Sequence, residues 1–169
     1  MSKPAAIRRQ PTHSKSFREG INILTDEITL ACKWQRPSIL LAVHKSKPEQ
    51  TKAQATLERE IIKKNKRVKR IKISGTAPDV INTLCKTSNH DEIVFFISGI
   101  GSEARQKSGD VYRALNMHRE LLVEQQIRVV FWLTDSEAAA LPQHAPDFWA
   151  FRHRVVEFAT RKTGGPTRD

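Results

Sequence analysis

The run Val129-Val130-Phe131-Trp132-Leu133 admits few folds, because five consecutive large apolar residues leave no polar face for water. Such a run suits a strand covered on both sides, as in a parallel sheet flanked by helices. Two runs of the same kind lie upstream, Ser38 to Val43 (SILLAV) and Glu92 to Ser98 (EIVFFIS). Helical signals separate them. Ile21, Leu24 and Ile28 fall at helical spacing and predict an amphipathic helix that ends near Trp34, before Arg36-Pro37. Ser46, Pro48 and Glu49 have the spacing of a capped helix start, which predicts a helix through about Lys64. Thr76 to Asp79 starts a third helix carrying Val80, Ile81 and Leu84, and Asp110 caps a fourth through about Gln126. Thr134 and Glu137 form a capping pair for a short helix that Pro142 and Pro146 break. Val68 to Ser74 and Val155 to Phe158 supply the remaining strands.

This alternation implies an α/β fold: a mainly parallel five-stranded sheet with helices on both faces, a three-layer sandwich. The strand order stays open between a P-loop NTPase-like and a flavodoxin-like arrangement. The 169 residues suffice for one domain, expected over residues 19–160, with a disordered basic arm at 1–18 and a disordered tail at 161–169.

Lys and Arg number 29 against 18 Asp and Glu, a net charge of +11, which favours anionic partners such as nucleic acid or an acidic protein surface. The densest run is Lys63, Lys64, Lys66, Arg67, Lys69, Arg70 and Lys72. It places charged side chains on both faces of the second strand, which suits a sheet edge guarded against edge-to-edge pairing. The same patch fits a nucleic-acid backbone rather than bases, since no aromatic residue is interleaved for stacking. Cys32 and Cys85 have no paired spacing, and no secretory or membrane-spanning apolar stretch occurs. A reduced cytoplasmic protein without membrane insertion is the expectation.

Two turns are candidates for ligand contact. Lys45, Ser46 and Lys47 follow the first strand, where nucleotide-binding α/β folds close glycine amides and a lysine on a phosphate. No glycine occurs between Ser38 and Ile73, so the Walker geometry is absent and only charge is left to attract an anion. The second turn, Gly99 to Asp110, holds three of the seven glycines and offers Gly99, Gly101, Ser102, Arg105 and Lys107 at the carboxyl end of a strand. Open α/β sheets place ligands there. The third strand ends in Ser98-Gly99-Ile100, without the carboxylate that organises magnesium in P-loop ATPases. Ser98 lacks the G-x-S-x-G context of a nucleophile, and the six histidines show no metal-ligand spacing with the cysteines. No catalytic residue and no metal ligand is therefore expected. A nucleotide is the open alternative to the expectation of no cofactor.

The wording YRALNMHRELLVEQQIRVVFW, followed by LTDSEAAALPQHAPDFWAFRHRVVEF, resembles the N-terminal α/β domain of bacterial tetratricopeptide-repeat and STAND-type signalling proteins. The residues that carry the resemblance are Asn116, Arg119, Trp132, Pro146, Asp147, Phe148, Trp149 and Arg152, within a span from about Pro37 to Phe158. It implies a P-loop-like fold with a degenerate nucleotide site and a structural role for these residues. It also implies a non-catalytic signalling domain acting through a protein partner. A sequence-nonspecific nucleic-acid binder and a divergent nucleotide hydrolase are the alternatives.

Overall fold

The computed structural model describes residues 16–73, 79–101 and 108–158. Five strands, β1 (Ser38–Val43), β2 (Arg67–Lys72), β3 (Ile93–Ser98), β4 (Arg128–Leu133) and β5 (Arg154–Glu157), pair in the order β2-β3-β4-β1-β5. Every pairing is parallel. The flavodoxin order is 2-1-3-4-5; here β4 stands between β1 and β3 instead. The basic strand β2 lies at one edge, as its charge pattern requires.

Parallel neighbours need crossovers, and the helices supply them. They are α1 (Phe17–Lys33), α2 (Lys47–Ile62), α3 (Val80–Cys85), α4 (Ser108–Glu124), α5 (Asp135–His144) and α6 (Pro146–Phe151). The β1-to-β2 crossover runs one way along the sheet and the later crossovers run the other, so a uniform hand puts their helices on opposite faces. The two cores show this. On one face Leu40, Ala42, Phe96, Val130 and Trp132 pack against Ile21, Leu24 and Ile28 of α1 and Ala53, Leu57 and Ile61 of α2. On the other, Ile39, Leu41, Phe95, Ile97, Val129 and Phe131 pack against Ile81, Leu115, Leu141 and Phe148 of α3 to α6. Alternate residues of each strand feed the two faces, which is why β1 and β4 are buried along their whole length.

Several local expectations shift. Ser16 caps α1, with a complete capping box to Glu19, so the domain begins inside the span 1–18 expected to be an arm. Residues 1–15 and 159–169 lie outside the described residues. Pro142 does not break α5; it sits inside the helix near its end, where few backbone bonds are left to lose. Pro146 opens α6. α4 begins at Ser108, ahead of Asp110, the expected cap. At α2 the capping box is half made: Ser46 Oγ accepts from Glu49 N at 3.3 Å, but Glu49 Oε1 accepts from Lys45 N at 2.8 Å rather than from Ser46.

Candidate functional site

β1 and β4 are neighbours whose chains leave in opposite directions, β1 toward β2 and β4 toward β5. A crevice opens between such strands at their carboxyl ends, the usual ligand position in open α/β sheets. A pocket of about 680 Å³ occupies this place, lined from the ends of β1, β2, β3 and β4 and from α2, α4 and α5.

The β1 end contributes His44, Lys45, Ser46 and Lys47. The backbone of this turn is already engaged. His44 N donates to Leu133 O at 2.9 Å, Lys45 N to Glu49 Oε1, Glu49 N to Ser46 Oγ, and Gln50 N to Ser46 O at 3.1 Å. Pro48 has no N–H to offer. A polyphosphate needs several convergent free amides, and this turn has used most of its own. Lys45 Nζ reaches Asp135 Oδ1 at 2.6 Å across the crevice, and that hydrogen bond raises the ammonium's pKa. Lys47 Nζ meets Gln50 Oε1 at 3.2 Å.

The opposite wall is built around Glu137, only 7 % exposed. It completes the Thr134 capping box, accepting from Thr134 N at 3.0 Å through Oε1. Its Oε2 accepts from Gly101 N at 2.7 Å. One carboxylate thus ties the segment after β3 to the start of α5. Gly99 begins that segment at φ +77°, and an added Cβ would lie 3.0 Å from Ile73 O, so glycine is required there. Burial and the Glu137 charge push the Tyr112 phenol up, and its ring lies 5.5 Å from the His144 ring.

Two buried polar atoms in the lining have no hydrogen-bond partner among the described residues, His44 Nδ1 and Trp132 Nε1. His44 is 6 % exposed and Trp132 fully buried. Burial holds the His44 imidazole below its ordinary value, against the opposing pull of Glu137 and Glu49. The Trp132 indole N–H is a buried donor without a partner among the described residues, and such donors are uncommon in folded proteins.

The structure therefore brings Lys45, Ser46, Lys47, Gly99 and Gly101 into one pocket. Ser102, Arg105 and Lys107 lie outside the described residues. Of the basic patch, Lys72 alone lines this pocket. Lys63 pairs with Glu60, Arg67 with Glu92 and Arg70 with Glu58, while Lys64 and Lys69 are exposed and Lys66 is half-buried. Asn116 holds the start of α6, its Oδ1 accepting from Asp147 N at 2.8 Å and Phe148 N at 3.1 Å. Arg119 lies 5.3 Å over the Phe151 ring, and Arg152 4.0 Å over Trp149. These residues brace α4, α6 and the chain entering β5.

His44, Tyr112, Glu137 and His144 were not legible as site residues. His44 directly follows an apolar run at a strand end, a usable signal, but Glu137 was disguised by its role as a cap. No group of His, Cys, Asp and Glu among the described residues has the arrangement of a metal site. No described helix is long and apolar enough to cross a membrane. No protein-family model matches the chain, and no curated protein matches it.

Proposed function

We propose that this chain is a non-catalytic signalling domain with a degenerate nucleotide-type site, one that holds a small ligand at the carboxyl end of the sheet and is read by a separate protein. One observation carries the reading: the His44, Lys45 and Glu49 amides of the β1–α2 turn are paired with the chain's own Leu133, Glu49 and Ser46, while a pocket beside them is lined by residues with buried polar atoms that have no partner among the described residues. Much of the phosphate clasp is spent and the cavity is kept. β3 ends in Ser98, so no carboxylate stands where a hydrolase would hold magnesium. The strand order differs from the flavodoxin one, which supports the P-loop-like alternative. The resemblance of the Tyr112 to Phe158 segment to bacterial signalling proteins supports a protein partner. Pairing of Lys63, Arg67 and Arg70 with carboxylates favours edge protection over a nucleic-acid surface.

Phosphate release from magnesium ATP and magnesium GTP tests the absence of catalysis. Release at the buffer rate is expected. Release above it that Glu137→Gln or Ser98→Ala abolishes would overturn the reading.

A further inference from the structure

Three side chains stand in one line across the sheet. Lys72 on β2 is in register with Ser98 on β3, and Ser98 with Trp132 on β4. Register partners in a parallel sheet project from the same face, and this is the α2 face, where Trp132 packs 5.4 Å from the Phe96 ring. All three line the pocket, with Lys47 and Gln50 of α2 beside them. Every member of the line carries a donor: an ammonium, a hydroxyl and an indole N–H. Lys72 has no ion pair and Trp132 Nε1 no partner among the described residues. The other half of the pocket is unlike this one. It holds the Glu137 carboxylate, with Tyr112 and His144 nearby.

We propose that the pocket is polarised, and that its ligand is a small molecule carrying one oxyanion on a hydroxylated body. The oxyanion, a carboxylate or a phosphate monoester, lies against Lys72, Ser98 and Trp132. The hydroxyl groups lie toward Glu137. This rests on reading the pocket as a ligand site and adds the chemistry of what it takes. A row of side-chain donors suits one compact anionic group, whereas a polyphosphate needs several backbone amides, of which those of Lys45 and Glu49 are already taken by Glu49 and Ser46. The buried Glu137 charge opposes a second anion in its half and accepts hydrogen bonds from hydroxyls. Trp132 closes the floor of this half as a fully buried ring, which leaves the Lys72 ammonium and the Ser98 hydroxyl as the donors that reach the ligand.

Thermal melts of the full chain with ribose 5-phosphate, gluconate, ribose and magnesium ATP test this. The melting temperature should rise with ribose 5-phosphate or gluconate, and which of the two acts identifies the oxyanion. Ribose, which lacks the anion, should shift it far less. Ser98→Ala and Lys72→Gln should each weaken that binding about tenfold, the effect of losing a hydrogen bond to a charged group. Lys69→Gln, an exposed lysine on the same strand, should leave it unchanged. A shift with ribose equal to that with the anions would overturn the donor row alone, as would binding that survives both substitutions or a response to magnesium ATP only. No shift with any of the four would overturn the ligand-site reading as well.

Discussion

Replacing Asn116 by alanine removes a cap that one helix lends to another. The first amides of any helix lack intrahelical partners. In α6 the residue at the cap position is Ala145, which has no side-chain acceptor, and Pro146 has no N–H. Trp149 N makes the first regular bond, to Ala145 O at 2.9 Å. The two amides between, Asp147 and Phe148, both donate to Asn116 Oδ1 of α4. The Phe148 side chain anchors α6, fully buried with its ring edge-on to Phe131 at 5.2 Å. A neutral hydrogen bond contributes about 1 kcal/mol, and water replaces the exposed Asp147 bond in part. Asn116→Ala should therefore cost about 1–2 kcal/mol, or about 2–8 °C in melting temperature for a chain of this size. Urea unfolding measures it as a lower midpoint with an unchanged slope. Asn116→Asp keeps an acceptor but faces the Asp147 carboxylate, which Asn116 Nδ2 approaches to 3.4 Å, so it should fall between wild type and alanine. A loss under about 0.5 kcal/mol, the range of an ordinary surface substitution, would refute the capping argument.

Gly20→Ala should destabilise by about 1–3 kcal/mol, although alanine is the better helix former, because the new Cβ would sit 2.5 Å from the ring of buried Phe158. A rise in the urea midpoint would contradict it. Because His44 is held below its ordinary value, the unfolded chain takes up this proton first as pH falls through about 6.5, so wild type should lose stability on acidification faster than His44→Asn. Midpoints at about pH 7.5 and about pH 5 check this, and parallel curves would count against it. Glu137→Gln turns one of two amide-accepting oxygens into a donor and should cost about 1–3 kcal/mol by the same assay; an unchanged midpoint would show that the two Glu137 bonds contribute nothing.

Strand identity was the most legible property because β1, β3 and β4 are apolar along their length, and only a doubly covered strand tolerates that. The edge position of β2 was legible from charge on both its faces. Order was not legible, since the placement of β4 between β3 and β1 depends on contacts far apart in sequence. Helix ends were read well where a cap is local, as at Thr134, and less well where the partner is remote, as at Asn116 and α6. The candidate site was half legible: Lys45, Ser46, Lys47, Gly99 and Gly101 lie on turns that any strand-helix pattern marks. Trp132 read as a core residue, which its ring is; only the structure shows that the residue also lines the pocket and that its buried N–H has no partner among the described residues.

The indole resonances report most directly on whether the pocket takes a ligand. The chain has three tryptophans, and among them only Trp132 lines the pocket, while Trp34 is 61 % exposed at the end of α1. With the three N–H signals assigned by Trp→Phe variants, ribose 5-phosphate and gluconate are titrated into the labelled protein. The Trp132 indole N–H should move and saturate with one of them while Trp34 stays in place. A Trp132 signal unmoved by both at millimolar concentration would contradict the ligand site.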